Sequence, residues 1–236
     1  MSKALMAYIA LFGPLPVDTF PIHSLHVELR GQERRVSMVD DQIIIPVMKG
    51  ANPVLQYRSP PLVKECAKRF EVSASLAFSE HYEFAKNIEK LPVGLYGGET
   101  AKCISGGCPL ENRDGFSVRL IEKSGTPGLY IYDDIAGLSS EGADYGRTIY
   151  SPQIAMDTEE HRFTVGVRVI ENRYHATLLL NGEILIDEPM YIKEDKAWCP
   201  KGLLMTFMWG GPTSDPIHWS PKEQQILLKD VSVYAQ

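Results

Sequence analysis

The chain has 236 residues, 44% of them hydrophobic and 23% charged, which excludes disordered and collagen-like classes and leaves one large domain or two small ones. At this length folding buries about 70% of the surface that the unfolded chain exposes, so stability requires neither a metal nor a disulfide framework. With 24 Lys and Arg against 30 Asp and Glu the net charge is -6, which argues against general polyanion binding such as coating nucleic acid; any anionic ligand must be held by a local cationic pocket.

In chain order, Lys3 and the apolar run Ala4 to Gly13 look like a short secretory leader, but no small-residue cleavage site follows, and the run is read as a first strand. No apolar stretch approaches the roughly 18 residues of a membrane helix, so no membrane partner is expected. Pro60 to Arg69 is predicted to form one or two helical turns, with proline at the start, where its missing N–H does no harm. From residue 74 onward the apolar period is two, punctuated by Gly, Pro, Asn and Asp, the pattern of an all-β antiparallel sandwich or barrel. In Ser75 to Phe84 the even positions Leu76, Phe78, Tyr82 and Phe84 are apolar; in Arg162 to Val169 the odd positions Phe163, Val165, Val167 and Val169 are. A turn at Asn172-Arg173 leads to a strand over Tyr174 to Leu180, and Asn181-Gly182 signals a hairpin before Glu183 to Asp187. Further strands are expected at Leu203 to Trp209 and Ile226 to Tyr234. There is no internal repeat, low-complexity tract or linker, so residues 1–236 are read as a single domain.

The stretch Gly115 to Asp133 carries the most chemistry. Phe116, Val118 and Leu120 share one strand face, leaving Ser117 and Arg119 on the other; in the next strand Leu129 and Ile131 face the core, so Tyr130 and Tyr132 project oppositely. If Lys123 to Thr126 closes the hairpin, paired residues sum to 249 and Arg119 faces Tyr130 while Ser117 faces Tyr132. Arginine and tyrosine commonly stack on the exposed face of a sheet, which is the plain reading of such a cluster. The functional reading is a site for an anionic sugar, whose carboxylate an arginine binds with two parallel hydrogen bonds beside a tyrosine acting as acid or base.

Other polar residues carry less. Cys103 and Cys108 are spaced to close a small loop, whereas Cys66 and Cys199 lie far apart and are expected as structural thiols; no zinc-like pairing with histidines is present. His81, His175 and His218 are rival bases without a readable carboxylate partner. Trp209 and Trp219 are either core or stacking surfaces for sugar rings. Arg147, Arg168 and Lys201 either widen a cationic groove or are surface charge. Asp133-Asp134 with Glu141 and Asp144 lacks the spacing of a calcium loop. The glycine pairs 97–98 and 106–107 are not phosphate loops, and there is no acyl-hydrolase elbow.

Several ordered segments together resemble polysaccharide lyase family 14, the alginate and glucuronan lyases, with a related likeness to fungal glucuronan lyases. They are Lys90-Leu91-Pro92, Gly94-Leu95-Tyr96-Gly97-Gly98, Gly115-Phe116-Ser117-Val118-Arg119, Tyr130-Ile131-Tyr132, Tyr174-His175 and Trp209-Gly210-Gly211. The likeness runs from about residue 74 to the end, with Val93 interrupting the family's Pro-Gly step and Asn87-Ile88-Glu89 standing where the family has glycines. It implies a jelly roll with a concave groove, and a monomeric enzyme acting on an anionic polysaccharide without metal or cofactor. Its catalytic lysine, serine, arginine and tyrosine pair fall on Lys90, Ser117, Arg119, Tyr130 and Tyr132, with Tyr96, His175 and Trp209 as substrate-binding residues; Arg168, outside these motifs, is expected to join them as a cation of the groove.

The implied reaction removes the C5 proton beside the sugar carboxylate and expels the C4 oxygen, with Arg119 and Lys90 neutralising the carboxylate and a tyrosine moving the proton. A phenol needs a nearby cation to act as base, so an alkaline optimum is expected. Two other functions fit the sequence. One is a non-catalytic carbohydrate-binding module on the same scaffold. The other is a glycoside hydrolase, for which Glu83 and Glu99 are the tempting carboxylates.

Overall fold

The computed structural model describes residues 37–39, 42–50, 55–85, 88–104, 113–134, 146–151, 156–192, 196, 198–209 and 220–236. Its strands are β1 (Ser37–Val39), β2 (Gln42–Val47), β3 (Leu55–Arg58), β4 (Arg69–Phe78), β5 (Glu89–Gly98), β6 (Gly115–Lys123) and β7 (Thr126–Tyr132). They continue with β8 (Arg147–Tyr150), β9 (His161–Ile170), β10 (Arg173–Leu180), β11 (Glu183–Pro189), β12 (Pro200–Trp209) and β13 (Gln224–Ala235). Among the described residues there is no helix. One sheet has seven strands in the order β1-β2-β13-β4-β9-β10-β11, the other six in the order β3-β12-β5-β6-β7-β8. Every pairing within them is antiparallel.

The period-two pattern is what stacks these sheets. Phe70, Val72 and Leu76 of β4, Phe163, Val165 and Val167 of β9, and Phe116, Val118, Leu120, Leu129 and Ile131 of the β6–β7 hairpin all lie fully buried in one shared core. Each such side chain contributes about 1.5–3 kcal/mol of apolar burial. The result is the all-β sandwich of jelly-roll type that the sequence led us to expect. Three tight turns fix the hairpin registers, at Ser124-Gly125, Glu171-Asn172 and Asn181-Gly182, and in each both residues have positive φ, for example 51° and 84° at Ser124 and Gly125. Two successive left-handed residues give the turn whose twist matches that of the flanking strands.

Several expectations are corrected. Pro60 to Arg69 is not helical. The segment instead runs along β12, whose carbonyls take its N–H groups, Ser59 N–H donating to the Leu203 carbonyl at 3.0 Å and Leu62 N–H to that of Lys201 at 2.7 Å. The strand read over residues 75–84 stops at Phe78; the chain turns through His81 at φ 57°, and Tyr82 and Phe84 pack back on Phe78 at 4.9 and 5.1 Å between ring centroids. Val169 is 37% exposed because it stands at the end of β9, next to the turn, which occupies Glu171-Asn172 rather than Asn172-Arg173. Cys66 and Cys199 are 133 residues apart in sequence, yet their Cα atoms are 5.1 Å apart and the two form a disulfide. The strand read over residues 4–13 and Cys108, spaced in the sequence to close a loop with Cys103, lie outside the described residues.

The Cys66–Cys199 bridge closes a long loop and pins the segment before β4 to the start of β12. Replacing both cysteines by serine is expected to cost about 2–5 kcal/mol in chemical denaturation. Unchanged stability of that variant would show that the bridge does not constrain the chain.

Candidate active site

The site is built on β5, β6 and β7, in the middle of the six-stranded sheet. The β6–β7 register is the one the alternation requires, with Arg119 opposite Tyr130, Ser117 opposite Tyr132 and Lys123 opposite Thr126. On the other side of β6, Glu89 pairs with Glu122 and Lys90 with Ile121, after which the register shifts and resumes at Gly94 opposite Arg119. The shift places Leu91, Pro92 and Val93 against Leu120, and proline suits an interruption because it has no N–H to give the ladder. Gly94 is required where the ladder resumes: a Cβ there would stand 2.8 Å from the Val118 carbonyl oxygen and 2.9 Å from that of Leu204, forcing β6 and β12 away beside Arg119.

This geometry brings Lys90, Ser117, Arg119, Tyr130 and Tyr132 onto the sheet face turned away from the sandwich core. The Arg119 guanidinium carbon lies 5.3 Å from the centre of the Tyr132 ring, and the Lys90 ammonium nitrogen 5.1 Å from that of Tyr130. The two tyrosine rings meet edge to face, 4.7 Å apart at 89°. The plain reading expected such a cluster to be exposed, but it is not. Ser117, Arg119, Tyr132 and Tyr130 are 0%, 3%, 3% and 6% exposed, with Ile88, Ile121 and Tyr150 packed against the rings.

Burial sets the electrostatics. Arg119 Nε and Nη2 are buried without a hydrogen-bond partner, and Lys90 Nζ has a 3.7 Å contact to Met208 Sδ. Burial first, and the Arg119 charge second, pull the Lys90 ammonium down to about 7. Burial also lowers Arg119, with both tyrosines acting in the opposite direction. Tyr130 is pushed up by burial and then by Tyr132, against the Gly146 N–H that donates to its oxygen at 3.2 Å, so Tyr130 holds its proton.

Ser117 is already engaged, its hydroxyl donating to the Ile104 carbonyl at 2.8 Å. Tyr96 stands beside Ser117 in the β5–β6 ladder but is buried with Ala101, Ile104 and Leu204, under the Arg58 guanidinium, and donates its hydroxyl to the Ser59 carbonyl at 2.8 Å. Arg168 and His175 do not join the cluster. They face each other on β9 and β10 of the seven-stranded sheet, alternate with its core residues, and share Asp187, 3.1 Å from His175 Nδ1. Parity assigned them to a polar face but could not say of which sheet. Trp209 ends β12 opposite Glu89; its side chain lies outside the described residues, as do Gly210, Gly211, His218 and Trp219.

The remaining charges have structural partners. His81 is exposed beside Glu80, and Lys201 donates to the Glu99 carbonyl. Asp133 accepts from Arg147 at 2.8 Å and from Tyr191 N–H at 3.0 Å, and Asp134 pairs with Lys196, whereas Glu141 and Asp144 lie outside the described residues. Glu83 is exposed and paired with Lys222 at 3.0 Å in the segment before β5, and Glu99 is exposed just after β5, so neither belongs to the buried cluster.

Two features escaped the sequence reading. Arg113, buried just ahead of β6, puts a second guanidinium 5.6 Å from the Tyr132 ring and donates to the Asp133 carbonyl. It precedes the strand, so no alternation marks it. Glu89 and Glu122 form a carboxyl pair on the core side of the sheet, and only the β5 register would have revealed it.

The polysaccharide lyase 14 family model matches residues 48–231, extending the likeness upstream of residue 74 to include β3 and β4. No curated protein matches the chain. An alginate lyase from Chlorella virus has a TM-score of 0.67 at 13% identity, covering 98% of this chain and 97% of that one. The marine PL-14 alginate lyase from Aplysia kurodai gives 0.64 at 17%, covering 100% and 95%. An endo-β-1,4-glucuronan lyase from the fungus Trichoderma reesei gives 0.53 at 10%, covering 96% and 92%. At these identities the structures establish a shared fold, while the family match spans most of the sequence: the chain belongs to polysaccharide lyase family 14.

Proposed function

We propose that this polysaccharide lyase cleaves a polyuronate, of the glucuronan or alginate kind, by β-elimination that needs no metal or cofactor. The observation that carries the reading is Arg119, a buried guanidinium with two nitrogens left without a hydrogen-bond partner and a second cation, Lys90, beside it. Buried cations of this kind call for an anion, and a planar carboxylate fits the guanidinium fork. The sugar carboxylate disfavours loss of the neighbouring C5 proton, because that loss adds negative charge. Arg119 and Lys90 offset this by holding the carboxylate as charge develops.

The Tyr132 oxygen takes the C5 proton, with the Arg113 and Arg119 guanidinium groups against its ring placing positive charge beside the reacting centre. The C5–H electron pair becomes the C4–C5 double bond, the C4–O bond breaks, and its electrons leave on the glycosidic oxygen. Tyr130, which burial keeps protonated, donates to that oxygen. Exchange with water then returns both phenols to their starting states. Ser117 holds the Ile104 backbone over the site and orients the substrate from there.

The direct test is incubation with glucuronan, polymannuronate and polyguluronate in the presence of chelator, following ultraviolet absorbance of the new double bond. Binding without product would identify a carbohydrate-binding module instead. Tyr132→Phe is expected to lose about 10²–10⁴-fold in kcat while remaining folded, and full activity would remove Tyr132 from the reaction. Arg119→Lys is expected to lose about 10²–10³-fold, because an ammonium cannot replace the two-pronged contact; wild-type turnover by that variant would end the role given to Arg119.

Lys90 gives a further test through protons. Its ammonium titrates near 7 in the free protein, and a bound carboxylate favours the charged form. At about pH 8, binding of a uronate oligomer to Tyr132→Phe should take up close to one proton, read as a dependence of the calorimetric enthalpy on buffer ionisation. Lys90→Met should abolish the uptake, and no uptake by the parent would place the carboxylate away from Lys90.

A further inference from the structure

The core contains a titratable pair that the proposed reaction does not use. Glu89 and Glu122 stand directly opposite each other on β5 and β6, both fully buried. Tyr82 donates its hydroxyl to Glu89 Oε1 at 2.5 Å, Ala85 N–H donates to Glu89 Oε2 at 3.2 Å, and Gly125 N–H donates to Glu122 Oε2 at 2.7 Å. Tyr82 faces the pair from the segment before β5 and Tyr150 acts on Glu122 from β8, its phenol pushed up by burial and by Glu122. Burial, and then Glu89, push Glu122 well above the usual carboxylate range. Two carboxylates this close in a core cannot both ionise, so they hold one proton between them.

The position of the pair gives it a task. Between the start of β5 and the register shift only two pairings reach β6, Glu89 with Glu122 and Lys90 with Ile121, so the carboxyl pair is the side-chain link that holds this end of β5. It joins three pieces of chain, namely the segment through Tyr82 and Ala85, the residue immediately before Lys90, and the Ser124-Gly125 turn of the hairpin that carries Arg119, Tyr130 and Tyr132. On its other side Lys90 is held by β12, opposite Met208.

We propose that the proton shared by Glu89 and Glu122 clamps the start of β5 to the β6–β7 turn and so positions Lys90, and that its loss in alkali disarms the site. The proposal rests on reading Lys90 as part of a lyase site. The sign follows from linkage. Glu122 keeps a proton in the folded chain that the unfolded chain releases above its ordinary carboxylate range, so the stability it contributes is complete in acid and is lost as pH rises toward its folded value. Glutamine at 122 offers Glu89 an N–H donor that no alkali removes.

The experiment compares wild type, Glu122→Gln and Glu122→Ala as full chains, by unfolding midpoint across about pH 6 to 10 and by kcat and KM for unsaturated product. The midpoint of Glu122→Gln should rise relative to wild type as pH increases, and its alkaline limb of kcat should move to higher pH. Glu122→Ala should lose roughly tenfold to a hundredfold in kcat, the order a misplaced catalytic group costs, with a smaller change in KM, and glutamine should restore most of it. Parallel midpoints of wild type and Glu122→Gln across the pH range, or wild-type kcat in Glu122→Ala, would overturn the proposal. Should Glu122→Ala fail to fold, Glu89→Gln supplies the same pH comparison. The unfolding measurement needs no substrate, so a wild-type protein inactive on every polyuronate would sink the lyase reading separately from the clamp.

Discussion

Two cations forced together away from water are the constraint around which this molecule is arranged. Arg119 is buried, Lys90 is its half-buried neighbour, burial lowers both, and the Arg119 charge makes the charged state of Lys90 less favourable still. Surrounding aromatic rings soften the repulsion, the ring of Tyr132 lying against Arg119 and that of Tyr130 against Lys90. What the rings cannot supply is a planar pair of acceptors for Arg119 Nε and Nη2. A fold that keeps such a group in its interior stores a binding energy that an incoming carboxylate releases. In the proposed function this also reconciles a net charge of -6 with a polyanionic substrate, since the attraction comes from one local pair of cations.

The sandwich holds those cations in place. Its core face carries Phe116, Val118, Leu120, Leu129 and Ile131 of the β6–β7 hairpin, so a slip by one residue would turn Arg119 into the core and is strongly resisted. The tight Ser124-Gly125 turn fixes that hairpin from its end. The interruption of β5 at Leu91–Val93 shifts the pairing by two residues, which sets Lys90 opposite Ile121 on the face that carries Tyr130, while Gly94 lets three strands close up beside Arg119. The Cys66–Cys199 bridge secures the far end of β12, which flanks β5 throughout.

The sequence disclosed those parts of the fold and site that follow from alternation. The all-β class, the β9–β10–β11 meander and the pairing of Arg119 with Tyr130 all come from periods of two closed by short turns. What it hid were matters of tertiary placement. Alternation gives a side to each residue but not a sheet, and Arg168 and His175, expected as substrate-binding residues, lie on the other sheet. It also cannot say whether a polar side is covered, and Ser117, Arg119, Tyr130 and Tyr132 are buried. Distance along the chain misled for Cys66 and Cys199, which the jelly-roll connections bring together. Pro92 was the one local hint that the β5 ladder breaks, and without that break neither the Glu89–Glu122 pair nor the path of Lys90 was readable.

The account stands on a sugar acid meeting Arg119 on the outer face of the six-stranded sheet. A structure of Tyr132→Phe with a bound uronate oligomer tests this most directly. The expected result is a carboxylate within about 3 Å of Arg119 Nε and Nη2, with C5 facing residue 132. An oligomer lying instead along the seven-stranded sheet, against Arg168 and His175, would contradict the account at its centre.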